Sequence, residues 1–223
     1  MKPLFNSNSP EIIESEGILL STLPLAENRW GLNFSFKGVF GIFSHHIARR
    51  PLFSPGTFYI GYIVHNLSEK KVQVKKMQAV SYLTHPDSPF KAVPSISSDT
   101  SLFSGPGSRV SMDWLQGYSN LGLDDLDIEA GKSALLYQSP VPVNPWFILP
   151  QSNARSTLMA LSANGPVYVS CVAILQTQKG SPTLAEYLAL LTNEKQATPQ
   201  EPQATSYDLQ KVPQGGRFRY GRV

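Results

Sequence analysis

At 223 residues the chain can hold one sandwich-sized domain and a tail, burying roughly 70% of its unfolded surface without staples. Its 18 Pro, 16 Gly and 16% charged residues leave little room for long solvated helices, and with 41% hydrophobic and 10% aromatic residues they lean towards β structure. The net charge of +3 is supplied by Lys211, Arg217, Arg219 and Arg222 against Asp208, so residues 1–206 are neutral and nucleic acid is not an expected partner.

In chain order, the opening MKPLFNSNSPEII has no apolar stretch behind its basic residue, so no signal peptide is expected, and no long apolar run offers a transmembrane segment. Apolar segments then recur between Gly, Pro, Asn and Ser clusters, the pattern of a sandwich or barrel. GIFSHHIAR, 41–49, reads as strand and is expected to form a hairpin with TFYIGYIVHN, 57–66, through RPLFSPG. The second of these is apolar on both faces and so belongs at the centre of a sheet. KVQVKKMQAVSYL, 71–83, alternates until its phase slips near Lys76, which predicts a bulge, and its lysines suit a guarded edge. A short helical turn is expected in SRVSMDWLQG, 108–117.

Further along, Asp127-Ile128-Glu129 alternates like a strand. KSALLYQSPVPV, 132–143, reads as another, with Pro140 and Pro142 marking where pairing stops. RSTLMALSANGPVYVSCVAILQ, 155–176, is expected to be a hairpin turning at Asn164-Gly165, with Cys171, the single cysteine, in the core. That lone cysteine excludes an intrachain disulfide and a cysteine-based zinc motif. In SPTLAEYLALLTN, 181–193, Thr183 and Glu186 match a capping box ahead of Leu184, Tyr187, Leu188 and Leu191, which predicts a helix docked on a sheet.

The resulting expectation is an all-β, antiparallel β-sandwich-like domain over residues 1–193 with one short C-terminal helix. A Pro/Gln-rich linker, 194–206, follows, and 207–223 is a basic tail that reads as the start of a second domain.

The candidate chemistry is sparse. Neighbours on a strand point to opposite faces, so His45 and His46 cannot chelate one ion together, and the expected hairpin leaves His65 beyond ligand reach. His45, His46 and Asp87 are the candidates for acid–base chemistry, with Asp124, Asp125, Asp127 or Glu129 as a possible acid partner. Asp87 and His85 lie in HPDSPF, whose residue types turn chemistry also explains. No G-x-S-x-G pattern occurs, and EAGKS lacks the glycine a phosphate-binding loop needs at Leu126. The four acids lack the glycine-punctuated spacing of a calcium loop and read as a solvated edge. Ligand-binding candidates are Arg109, which follows the glycine amides of GPGSRV, and Trp146 in the Pro-flanked VNPWFILPQ. Trp30, Tyr59, Trp114 and Tyr118 could add an aromatic platform, although core packing accounts for most rings. No metal or cofactor is expected.

The strings FNSNSPEIIESEGILLSTLP, GIFSHHIAR, YIGYIVHN, AVSYLTHPDSPF, GPGSRV, RSTLMALSANGPVYV and GRFRYGRV, in this order, resemble a cyanobacterial family of uncharacterised proteins, a domain of unknown function. The resemblance covers most of the chain. It implies the N-terminal half of a longer exported protein and an extracytoplasmic location, and brings no activity or catalytic residues with it. The leading expectation is a non-enzymatic binding or structural module of the cell envelope, with protein or carbohydrate as partner. The alternatives are a hydrolase acting on sugar or peptide material and a self-associating structural protein.

Overall fold

The computed structural model describes residues 3–24, 33–50, 56–92, 94, 102–122, 124–143, 152–176, 180–193 and 197. Trp30, Trp146 and the tail 207–223 lie outside the described residues, as does the expected linker except Ala197, which is buried and donates its N–H to the Ile18 carbonyl.

Among the described residues the strands are β1 (Leu4–Ser7), β2 (Ile12–Ile13), β3 (Gly17–Ser21), β4 (Phe36–Arg49), β5 (Gly56–His65), β6 (Val72–Leu83), β7 (Leu126–Ile128), β8 (Ser133–Val143) and β9 (Ser152–Gln176). The helices are α1 (Gly105–Leu115) and α2 (Leu184–Thr192). Period-two burial sets the faces. In β4, Phe40, Ile42, Ser44, His46 and Ala48 point inward, while the residues between them face outward.

β9 organises the rest. Its first half pairs with β4 (Ser44↔Thr157) and β6 (Ser81↔Thr157), and its second half with β3 (Ile18↔Val172) and β5 (Tyr62↔Cys171). Two layers thus share one strand: β1/β2–β4–β9–β6–β7 and β3–β9–β5–β8. The all-β expectation holds, with one amendment: β1 and β2 pair with β4 in parallel, so the sheet is mixed.

Four local readings are corrected by this topology. Residues 155–176 do not fold back at Asn164-Gly165 but continue as one strand. A register shift opposite Phe36–Gly38 passes β9 from one layer to the other. Glycine is needed there because an added Cβ would meet Val72 Cγ2 at 2.6 Å, a close approach and not a hairpin turn. β4 and β5 are not a hairpin; they face each other across the core, where Ser44 Oγ and Tyr62 Oη hydrogen-bond at 2.5 Å. Pro140 and Pro142 sit within the β5–β8 ladder, opposite Tyr59 and Thr57. Their carbonyls turn away from β5 to accept from Arg155 and Asn153, so their missing N–H groups fall on the outer edge, where no ladder needs them. The short turn expected at 108–117 is the helix α1, which begins earlier and packs on the outer face of β6 and β9.

The bulge near Lys76 is present, between Lys76 and Gln78. β7 covers only Val72–Val74 of the outer edge of β6. Beyond it side chains substitute for a strand: Asn120 accepts from the Ser81 N–H and donates to the Ser81 carbonyl, Ser119 Oγ accepts from the Ala79 N–H, and Asp125 from the Lys76 N–H. The main core lies between the layers and includes Phe40, Ile42, Phe58, Ile60, Tyr62, Met159 and Cys171. A second cluster joins Ile18, Ile63, Val172 and Ile174 to Tyr187 and Leu191 of α2. The predicted capping box starts that helix: Glu186 N–H donates to Thr183 Oγ1, and Thr183 N–H to Glu186 Oε2.

Candidate functional site

The histidines part company as the strand period requires. His46 is fully buried between the layers. Its Nδ1 lies 2.8 Å from the Pro10 carbonyl, which can only accept, so Nδ1 carries a proton, and Nε2 hydrogen-bonds the Ser7 hydroxyl at 3.0 Å. His45 faces outward, with Nδ1 2.7 Å from Ser156 Oγ and Nε2 3.8 Å from Glu11 Oε1. Burial holds its pKa below the ordinary histidine value, partly opposed by the Glu11 carboxylate. This Glu–His–Ser row has the order of a catalytic triad, but Ser156 is fully buried in mid-strand beneath Gly107 of α1, out of reach of a substrate carbonyl. His65 is held in the other layer by Ser133 and Ser170, and His85 sits in an exposed turn.

Between the layers runs a polar seam that the sequence did not announce. Arg155 donates through Nη1 to Ser81 Oγ and through Nε to the Pro140 carbonyl; Ser81 Oγ bonds Thr157 Oγ1 at 2.8 Å, and Ser44 bonds Tyr62. Arg155 is 7% exposed, and burial presses its pKa downward. Its bonds to neutral groups fasten the edge of β8 to β9, a structural use of a buried guanidinium.

On the outer face, Tyr82 of β6 lies beside Ser156 of β9, which lies beside His45 of β4. At about 4.8 Å between strands, Tyr82 and His45 are roughly 10 Å apart. Arg109 of α1 stacks on the Tyr82 ring, its Cζ 4.0 Å from the centroid, and donates through Nη1 to the Asp87 carbonyl at 2.6 Å. Two candidates from the sequence, Arg109 and Asp87, therefore meet, but through the backbone of Asp87. The Asp87 carboxylate turns instead to the Leu83 N–H at 2.9 Å. His45, an acid and Arg109 do not converge on one point.

The acids at 124–129 are taken up locally. Asp125 guards the β6 edge, and Asp127 and Glu129 pair with Lys71 at 3.0 and 3.4 Å. A surface groove of about 420 Å³ lies where β9 changes layers, lined by Lys37, Ser68, Lys70, Asn164 and Gly165 among others. It holds none of the candidate residues. Among the described residues no three His, Cys, Asp or Glu side chains gather in a way that could hold a metal, and no helix is long and apolar enough to cross a membrane.

A family model described as a protein of unknown function, DUF3370, matches residues 1–223. The chain belongs to the DUF3370 family. No curated protein and no solved structure matches it significantly. Within the DUF3370 domain the strand period read from the sequence separated His45 from His46, as the structure does, but the sequence did not point to Ser156, Glu11 or Arg155. The inward alternation Asn153, Arg155, Thr157 was the available signal for the polar seam, hidden because polar residues in a strand read as its solvent face.

Proposed function

We propose that the DUF3370 domain is a non-enzymatic binding or structural module of the cell envelope. One observation carries the non-enzymatic half: the histidines are dispersed over both faces and both layers, and the serine paired with His45 is sealed under α1. His45 lies within proton-transfer distance of Ser156, but a nucleophile also needs a reachable carbonyl, and that condition is not met at the buried Ser156. The envelope half rests on the resemblance to longer exported proteins.

A panel of fluorogenic esters, aryl glycosides and peptides, run with a fluorophosphonate probe, tests the reading. No turnover and no labelling of Ser156 is the expected result. Turnover or labelling that disappears in both His45→Gln and Ser156→Ala would establish a hydrolase instead. The binding half predicts that the domain co-sediments with isolated envelope fractions; recovery in the supernatant alone would count against it.

A further inference from the structure

We propose that Arg109 and Lys91, set against Phe103 and Tyr82, form the element with which the domain holds a carboxylated polysaccharide. The proposal rests on the binding reading above and supplies its ligand. Arg109 is half-buried and doubly fixed, stacked on Tyr82 and tied at Nη1 to the Asp87 carbonyl, so little side-chain freedom remains to be lost when it binds. Lys91 Nζ sits 4.3 Å from the Phe103 centroid, and Arg109 Cζ 5.1 Å from the same ring. The fold thus gathers two like charges around one aromatic ring.

Neither cation has an ion-pair partner among the described residues. The acids closest in the chain hydrogen-bond other groups: Asp87 Oδ2 accepts from the Leu83 N–H, and Asp113 Oδ2 from the Tyr82 hydroxyl at 2.6 Å, beside the ring on which Arg109 stacks but without an ion pair to it. An anion binding at this ring would offset the like charges of Arg109 and Lys91, and a carboxylate suits the guanidinium N–H groups not given to Asp87. Beside this pair Phe90 is 65% exposed, although its ring is seated against Gly105 at the start of α1. A uronic acid offers both complements at once, a carboxylate for the cations and a C–H ring face for the phenyl. Nucleic acid and polyphosphate are the competing polyanions, and they lack the uronic acid's pairing of a planar carboxylate with a C–H ring face.

Affinity electrophoresis of the full chain through gels containing polygalacturonate, dextran, polyphosphate or a single-stranded oligonucleotide provides the test. Polygalacturonate should retard the wild type, less so as salt rises, and dextran should not. Arg109→Gln should weaken retardation about tenfold or more, Arg109→Lys should fall between because it keeps charge without the fork, and Lys91→Gln should weaken it while leaving the melting temperature in place. Lys37→Gln with Lys70→Gln, in the distant groove, should change nothing. No retardation by polygalacturonate, equal retardation by dextran, stronger retardation by polyphosphate or the oligonucleotide, or indifference to both Arg109→Gln and Lys91→Gln would each overturn the proposal. Such a failure leaves the non-enzymatic reading standing, since that is decided by the turnover panel.

Discussion

His65 shows how these histidines serve the fold. It is 2% exposed, and its ring nitrogens meet the Ser133 and Ser170 hydroxyls at 2.8 and 2.9 Å. Nothing negative compensates a proton there, so burial pushes its pKa down to about 4 from an ordinary 6.5. The sign follows from linkage. Between those values the unfolded chain takes up a proton that the folded domain refuses, so the contribution is complete above pH 6.5 and lost as pH falls through 4. The shift corresponds to about 3 kcal/mol. Urea unfolding at pH 7, 5.5 and 4.5 should show stability falling with pH in the wild type and a distinctly shallower fall in His65→Gln, which keeps one donor and one acceptor. Superimposable pH profiles for the two proteins would dismiss this account. Cys171 is governed by the same force, its thiol pushed up to about 12 by burial, which makes it a core residue and not a reactive one.

At the scale of elements, α2 depends on a flat spot in the sheet beneath it. Gly61 of β5 leaves room for the Tyr187 ring, which an added Cβ would meet at 2.5 Å. Gly61→Ala should therefore cost about 1–3 kcal/mol by overpacking and loosen α2, measured as a lower urea midpoint and a weakened near-ultraviolet tyrosine signal. An unchanged midpoint would mean that Tyr187 can swing aside. The helix itself was legible because a capping box and its apolar stripe are local. β4 and β5 were not legible as partners across the core: each shows a clear strand pattern, but periodicity says which face is buried and not which strand lies alongside. The dipeptide Asn164-Gly165 misled for a related reason, since a turn and a close backbone approach both demand glycine. Ser156 and His45 lie 111 residues apart in the chain, a separation at which a single sequence carries no pairing signal.

For the whole molecule, the described edges bear on association. The β8 edge presents prolines whose carbonyls are taken, the β6 edge is occupied by Ser119, Asn120 and Asp125, and β3 is flanked at Ile18 by Ala197. Guarded edges of this kind oppose strand addition between copies. Light scattering at high protein concentration should accordingly report a monomer; a dimer that dissociates when the β1 edge is altered by Leu4→Lys would locate the weakest guard among the described edges, because Leu4 there is 49% exposed.

The shared strand also sets a timetable. β3, β4, β5 and β6 all pair with β9, so Gly17 waits for Ala173 and His45 for Ser156 before these ladders can form. At synthesis rates of about 5–20 residues per second, most of the sheet-forming chain spends several seconds off the ribosome's exit with its central neighbour not yet made. Neither layer can be finished first and handed over as a template. Until the last long strand arrives the earlier strands stay without their central neighbour, and then both layers close on that strand together.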